Sequence, residues 1–489
     1  MKKNLRRAST CLMLIFLLAM ISCGPGRKLK DTRPIRWNGQ GRDVSEPIFR
    51  KNELLVLYKK PPTDAQTNLI RQTIQAQGIQ ITSVRKCNAC DSYVELWSGQ
   101  DIHTVIHGDG VSGGSGRGGT KGVGDDSLAT YSLNYFNKGP VDSTAALRDS
   151  MNMPNRSAGK GAVSGAGKDT IIVAVLDTGV DTANFINGKY LWRNKDERNN
   201  GSDADRNCYV NDVAGWNFIA NNNNIHDDNH SLHGTLVSNY IIQEFVNSPR
   251  NFVQIMSLKT HDASGYGDLF SSICAIHYAI KKGANIINAS WGFYYYQDPH
   301  PYLDSLITKI LPQRGILFIT AAGNKIDSED KLAWQIYHDS LHIDLSPFEL
   351  RDLAIHNFYP GCLSTGNNNV ITATTTNGLI VSPTQNHSSV YADLGVKADS
   401  VTPDHMKFLE PFTYPAQYIS GSSFATAVAS GKIGAYLPKA MYLPGINKLQ
   451  VFTKLAQIGG RGGIPQIIFT SPLLITGGLI RGGKYIIPR

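Results

Sequence analysis

Apolar and polar positions alternate along this chain in three different ways. Residues 12–21 form one unbroken apolar run, LMLIFLLAMI, behind Lys2, Lys3, Arg6 and Arg7 and ahead of SCG. Ten apolar residues are too few to span a bilayer stably, but a basic start, a short apolar middle and a small-residue end are what an export signal requires. From Asn52 the apolar positions fall into short segments. NELLVLYKK, IQITSVRK and SYVELWS read as strands, and DAQTNLIRQTIQAQG as an amphipathic helix. The expected organisation begins with a signal peptide (1–22), a basic linker (23–50) and a small α+β unit (51–107). It continues with the Gly-rich stretch HGDGVSGGSGRGGTKGVGDD at 108–127, which has nothing to pack and reads as a protease-accessible linker.

The third regime runs over 128–440. TIIVAVLD, FVQIMSLK, GANIINASWG, GILFITAAGN and NVITATTT are continuous short apolar runs, of the kind buried on both faces of a parallel sheet, with helical segments such as LFSSICAIHYAIKKG between them. The predicted fold class is therefore α/β: a doubly wound, mostly parallel sheet with helices on both faces. The extension 441–489 ends in QIIFTSPLLITGGLIRGGKYIIPR, which Gly and Pro interrupt too often for a membrane span. It reads either as strands packed on the large domain or as a docking segment.

Charge removes one class of function. The net charge is +9, yet the first fifty residues hold 11 Lys+Arg against 3 Asp+Glu, so the rest of the chain carries about +1 and offers no basic face to nucleic acid. GSGRGG lacks the flanking strand and helix of a dinucleotide turn, and GAVSGAGKDT misses the phosphate-loop spacing by one residue. Seven cysteines include Cys11 within the leader and Cys23 at its end. The remaining five, Cys87, Cys90, Cys208, Cys274 and Cys362, are an odd number, which requires at least one free thiol in an exported protein. The single C-x-x-C pair, Cys87 and Cys90, reads as a local disulfide or a turn.

Chemistry collects where parallel strands end at their carboxyl edge. TIIVAVLD ends on Asp177, followed by Thr178 and Gly179. His233 stands ahead of Gly234, Thr235 and an apolar helical run. LFITAAGN ends on Asn324, whose amide can donate to a developing negative oxygen, and GSSFATAVASG places Ser423 at the start of a helix of small residues. Any one of these is ordinary as a cap or a turn. In the order Asp, His, Asn, Ser they form the DTGV, HGT, AAGN and GSSFATAVASG boxes, and residues 130–440 resemble a subtilisin-like serine protease of the subtilase family.

The resemblance implies a serine endopeptidase acting on protein or peptide substrates. Asp177, His233 and Ser423 would form the triad, Asn324 the oxyanion donor, and no cofactor would be needed for the chemistry. It also implies that SGYGD (Gly265, Tyr266, Gly267) and SWG (Ser290, Trp291, Gly292) are the edges between which an extended substrate adds as a strand. The unit at 51–107 resembles the inhibitory propeptide of such enzymes, with the Gly-rich linker as the natural place for cleavage. SCG resembles a bacterial lipoprotein box, making Cys23 a lipid anchor and the protein either a cell-envelope lipoprotein or secreted. Asp203, Asp205 and Asn207 have calcium-loop spacing, but Cys208 stands where Gly would allow the turn, so a hydrogen-bonded polar loop is the favoured reading and no metal is assigned. Leu232 and Leu236 flank the His box where the family usually has Gly and His, and Ala427 replaces its usual Pro. These departures keep open a second reading, a catalytically silent peptide-binding protein.

Overall fold

The computed structural model describes residues 49–106 (except 59 and 89), 129–138, 167–182, 188–294 (except 247) and 300–489 (except 403–404 and 413–416). The signal peptide, nearly all of the basic linker, Cys23 and the Gly-rich linker lie outside the described residues.

The N-terminal unit is built from β1 (Phe49–Tyr58), α1 (Asp64–Gln75), β2 (Ile81–Asn88), β3 (Asp91–Gly99) and β4 (Ala129–Lys138). Thr63 starts α1 with a reciprocal cap: its Oγ1 accepts from the Gln66 N–H at 3.3 Å while Gln66 Oε1 accepts from the Thr63 N–H at 2.9 Å. Such a cap contributes about 1 kcal/mol. The helix buries Ile70 and Ile74 against Leu54, Val56 and Trp97 of the sheet. All the strand pairings here are antiparallel, in the order β2-β3-β1-β4. The boundary expected at residue 128 therefore shifts. Residues 129–138 close the N-terminal sheet, with Leu54 to Tyr58 of β1 opposite Leu133 to Ala129 of β4.

The large domain follows with β5 (Asp169–Asp177), β6 (Gly215–Asn217), α2 (His233–Phe245), β7 (Asn251–Lys259), β8 (Tyr266–Asp268), α3 (Leu269–Lys281), β9 (Ile286–Ala289), β10 (Phe293–Tyr294) and β11 (Leu317–Ala321). After these come α4 (Asp327–Leu341), β12 (Phe358–Tyr359), β13 (Val370–Thr376), β14 (Leu394–Lys397) and a small sheet of β15 (Ser400–Thr402), β16 (His405–Leu409) and β17 (Tyr418–Ile419). The chain ends with α5 (Ser422–Tyr436), α6 (Lys448–Ile458), β18 (Phe469–Thr470) and β19 (Lys484–Ile486). The main sheet runs β18-β19-β14-β13-β11-β9-β5-β7-β6 and is parallel except for the β18–β19 pair. Along β5, Ile171, Val173 and Val175 enter the layer that holds α2 and α5, while Ala174 and Leu176 enter the layer that holds α3. That two-sided burial is why the strand reads as a continuous apolar run.

The C-terminal tail is part of this sheet. β19 lies parallel beside β14, with Tyr485 opposite Gly395, and α6 packs Val451 and Leu455 into the core. No helix among the described residues is long and apolar enough to cross a membrane. The segment after Asn324 forms α4 and a satellite core of Ala333, Leu345 and Leu350. Arg351 fastens it by an ion pair to Asp330 and a 3.2 Å bond to Asn386 Oδ1, and Asn386 in turn donates to the Ala322 carbonyl at 2.9 Å.

Helix α5 is buried along its whole length, which its small residues permit. A Cβ on Gly431 would stand 2.7 Å from the Ile241 carbonyl oxygen and 2.9 Å from Glu244 Cβ, both on α2. Gly431→Ala is therefore expected to destabilise the fold by about 1–3 kcal/mol through overpacking, read as a lower urea midpoint at an unchanged m-value.

Candidate active site

Strands β5 and β7 pair in register over nine residues, so Asp177 and Lys259 end side by side at the carboxyl edge of the sheet. Asp177 is 3% exposed, and its Oδ1 accepts from the Thr178 N–H and from His233 Nδ1, each at 2.7 Å. His233 is the first residue of α2, preceded by Leu232 at φ 51°, a left-handed conformation that a glycine would adopt at less cost. Two glycines make the Asp–His approach possible. A Cβ on Gly234 would lie 2.3 Å from the Gly179 carbonyl oxygen, and one on Gly179 would lie 2.6 Å from that of Ile225. Thr178 completes the joint by accepting the Gly234 N–H at 2.9 Å.

Burial by itself would push the Asp177 carboxyl up, but the charge of His233 and its hydrogen bond outweigh that and hold it below its ordinary value. Burial opposes the charged form of His233 as well. Asp177 overcomes it, so the imidazole is held above its ordinary value. His261, whose N–H donates to the Asp177 carbonyl at 3.2 Å, is pushed down to about 4 by burial and stays neutral. Lys259 Nζ donates to the Thr178 carbonyl at 2.5 Å and to Asp228 at 2.6 Å, bracing the turn that follows Asp177.

Ser423 is the second residue of α5, behind Gly421 at φ 145°. Asn324 Oδ1 accepts the Ser422 N–H at 3.0 Å, which fixes the amide so that its NH₂ faces the same turn: Nδ2 lies 3.6 Å from where a Gly421 Cβ would stand. The ring of Phe424 lies 5.6 Å from that of His233, placing the serine turn beside the imidazole. The Ser423 hydroxyl donates to the Ser290 carbonyl at 3.0 Å, and the Ser290 hydroxyl returns a 3.0 Å bond to the Ser423 carbonyl. His233 Nε2 is buried and has no hydrogen-bond partner among the described residues. The Asp177–His233 pair is therefore closed, while the Ser423 hydroxyl is turned onto Ser290.

The two segments expected to bind substrate both pair with β4. Lys138, the last residue of β4, exchanges backbone hydrogen bonds with Gly292, at 3.1 Å from its N–H and 3.3 Å to its carbonyl. On its other side β4 pairs antiparallel with β8, setting Lys138 opposite Tyr266 and Asn137 opposite Gly267. Gly265 forms the turn into β8 at φ 77°. The side chain of Trp291 is fully buried in the core beneath, 6.0 Å from the His261 ring.

Sequence spacing missed the disulfide partners and the place of Glu197 in the acidic loop. Cys87 and Cys90 do not pair with each other. Cys87 is bonded to Cys274 in α3, Cys90 to Cys208 ahead of the His box, and Cys362 is a buried free thiol. The acidic loop brings oxygens of Glu197, Asp203 and Asp205 within 4.8 Å of one another. Asp203 accepts the N–H groups of Asn207 at 3.0 Å and Cys208 at 2.7 Å, and Asp205 is paired with Lys282. Cys208 makes the left-handed turn at φ 68° for which Gly was expected.

Comparison with known proteins matches residues 168–443 to the subtilase family, Peptidase_S8. Subtilisin-like protease 1 of Plasmodium vivax is 31% identical over 215 residues, covering 41% of this chain and 30% of the relative. Its counterpart in Plasmodium falciparum is 30% identical over 217 residues, covering 41% and 27%. The chain thus spans less than a third of the length of these relatives. Among solved structures, an epidermin leader peptide processing serine protease from Staphylococcus aureus aligns over 89% of this chain and 97% of its own, at 16% identity and a TM-score of 0.49. Fervidolysin from Fervidobacterium pennivorans aligns over 91% and 61%, at 15% identity and a TM-score of 0.48. With its family match covering more than half of its length, the chain belongs to the subtilase family of serine peptidases.

Proposed function

We propose that the protein is an exported serine endopeptidase, made as a precursor whose N-terminal unit blocks its own cleft. The observation that carries this is the buried Asp177–His233 pair at 2.7 Å beside the Asn324-held turn that presents Ser423. In the reaction, rotation of the Ser423 hydroxyl from the Ser290 carbonyl to the unpartnered Nε2 of His233 completes the triad. His233 takes the proton as the oxygen attacks the peptide carbonyl, then returns it to the leaving amine. Asp177 holds the imidazole in the tautomer with Nδ1 protonated and stabilises the imidazolium. Asn324 Nδ2 and the Ser423 N–H hold the oxyanion, and water resolves the acyl-enzyme. Asn324→Ala is expected to lower kcat by about 10²–10³ with little change in KM, the loss measured for this type of donor in a subtilisin.

The strand pairing of Lys138 between Tyr266 and Gly292 supports the inhibitory role of residues 49–138, since an extended substrate would need the same backbone partners. It moves the expected processing cut from the Gly-rich linker to the segment after Lys138. Two long-range disulfides agree with an oxidising compartment and with the leader read as an export signal, with Cys23 as a lipidation point.

A peptide-binding protein without turnover has one observation in its favour, the Ser423 hydroxyl bonded to Ser290 instead of His233. Labelling by a fluorophosphonate separates the two. Modification at Ser423, abolished by Ser423→Ala and by His233→Ala, is expected of the peptidase; a folded, processed protein that takes no label refutes it.

A further inference from the structure

Both disulfides join the N-terminal unit to the large domain. Cys87 in β2 is bonded to Cys274 in α3, 187 residues on, and Cys90 in the β2–β3 turn to Cys208, 118 residues on. Any cut between Lys138 and Asp169 falls inside both loops. Hydrolysis there breaks the peptide connection and leaves two covalent ones. Neither bridge lies within the large domain, whose remaining cysteine, Cys362, is a buried thiol, so each bridge joins the two parts covalently. Polar contacts run along the same face: Asn134 Oδ1 accepts the Phe270 N–H at 3.0 Å, Asn137 donates to Ser272 at 2.8 Å, and Tyr209 donates to the Cys87 carbonyl at 3.1 Å.

We propose that the N-terminal unit is a disulfide-held latch: it stays bonded to the peptidase after the connecting segment is cut, and the cleft opens on reduction of Cys90–Cys208 and Cys87–Cys274 by a dithiol. This rests on the reading of β4 as the occupant of the substrate edges. A tethered strand faces its groove at an effective concentration in the millimolar range, so cutting alone does not empty the cleft. The two bridges differ in access. Cys90 is exposed and Cys208 half-buried, whereas Cys87 and Cys274 are 7% and 1% exposed. A thiolate must reach a disulfide sulfur to attack it, so the outer bridge opens first and the inner one after the unit loosens. Each reduction transfers two electrons and two protons from one dithiol, which leaves as its own disulfide. Two dithiols convert the latch to four thiols. Where Cys23 carries a lipid, the same bridges keep the cut peptidase on its membrane until reduction frees it.

The test uses the full chain carrying a site-specific protease sequence within residues 145–160. In the Ser423→Ala background, which cannot cut itself, the nicked protein is expected to run in denaturant as one species without reductant and as two with it. Separation without reductant overturns the latch. In the Ser423 background the nicked protein is expected to hydrolyse a fluorogenic peptide at least tenfold faster after dithiothreitol, and the Cys87→Ser/Cys90→Ser variant to show the high rate without it. Equal rates before and after reduction also overturn the latch. A nicked, reduced protein freed of its N-terminal piece that neither hydrolyses peptide nor takes the fluorophosphonate refutes the peptidase reading instead, and the denaturing gel still decides whether the pieces are joined.

Discussion

Ser423→Ala is expected to lower kcat for peptide hydrolysis by about 10⁶-fold, the size of the loss measured when the nucleophile of a subtilisin is removed. The residual rate then comes from the Asn324 donor and substrate positioning alone. The fold should hardly notice. Among the described residues the hydroxyl makes one hydrogen bond, to the Ser290 carbonyl at 3.0 Å, whose loss costs about 1 kcal/mol. Alanine returns a few tenths of a kcal/mol as the better helix former, by roughly the spread of the propensity scale. The Ser290 hydroxyl still reaches the carbonyl of residue 423 and still accepts from Asn288 at 2.9 Å, so α5 stays seated on β9. A urea midpoint within error of the parent, beside a kcat reduced by about six orders of magnitude, would place the chemistry on this oxygen. A variant that keeps more than a tenth of the parent kcat would place it elsewhere.

The four boxes were legible because each requirement is local. An apolar run that ends on Asp177, and the short strings HGT, AAGN and GSSFATAVASG that follow it in order, can be read without knowing what lies across the sheet. The doubly wound class followed for the same reason, since two-sided burial makes β5, β7 and β11 apolar throughout. What escaped was partnership over distance. Spacing suggested that Cys87 and Cys90 belong together, yet residues three apart at a strand end can reach different neighbours, and these reach α3 and the acidic loop. The strand 129–138 escaped because the Gly-rich stretch before it looked like a domain boundary, while its sheet partner, β1, lies more than seventy residues earlier. The alternation in ATYSLNYFNK was the available sign that a strand begins there. The SWG motif reads as a backbone edge, and the backbone of Gly292 does pair with Lys138, while the Trp291 side chain, whose place the motif leaves open, lies in the core.

Asp177→Asn tests the acid–base pair, and it should change both the height and the position of the pH profile. On the proposed mechanism His233 accepts the serine proton only when neutral, so kcat/KM is expected to rise with pH through the imidazole titration. Asp177 places that inflection above the ordinary histidine value of 6.5. Asparagine removes the charge that raises it. Burial, which favours neutral imidazole, is then opposed chiefly by the more distant Asp227, and the inflection moves to lower pH. The rate falls for a separate reason. An asparagine amide can donate to Nδ1, which puts the proton on Nε2, where it blocks the serine, and the expected loss in kcat is about 10⁴-fold. Stability shifts with its own sign. The Asp177 carboxyl is held below its unfolded value, so its contribution is complete above that value and disappears as pH falls through the folded one. The variant should therefore lose stability relative to the parent at neutral pH and converge on it in acid. A pH profile of kcat/KM together with urea midpoints across the acid range reads all three effects. A merely structural role for Asp177 would lower stability while leaving the inflection where it was.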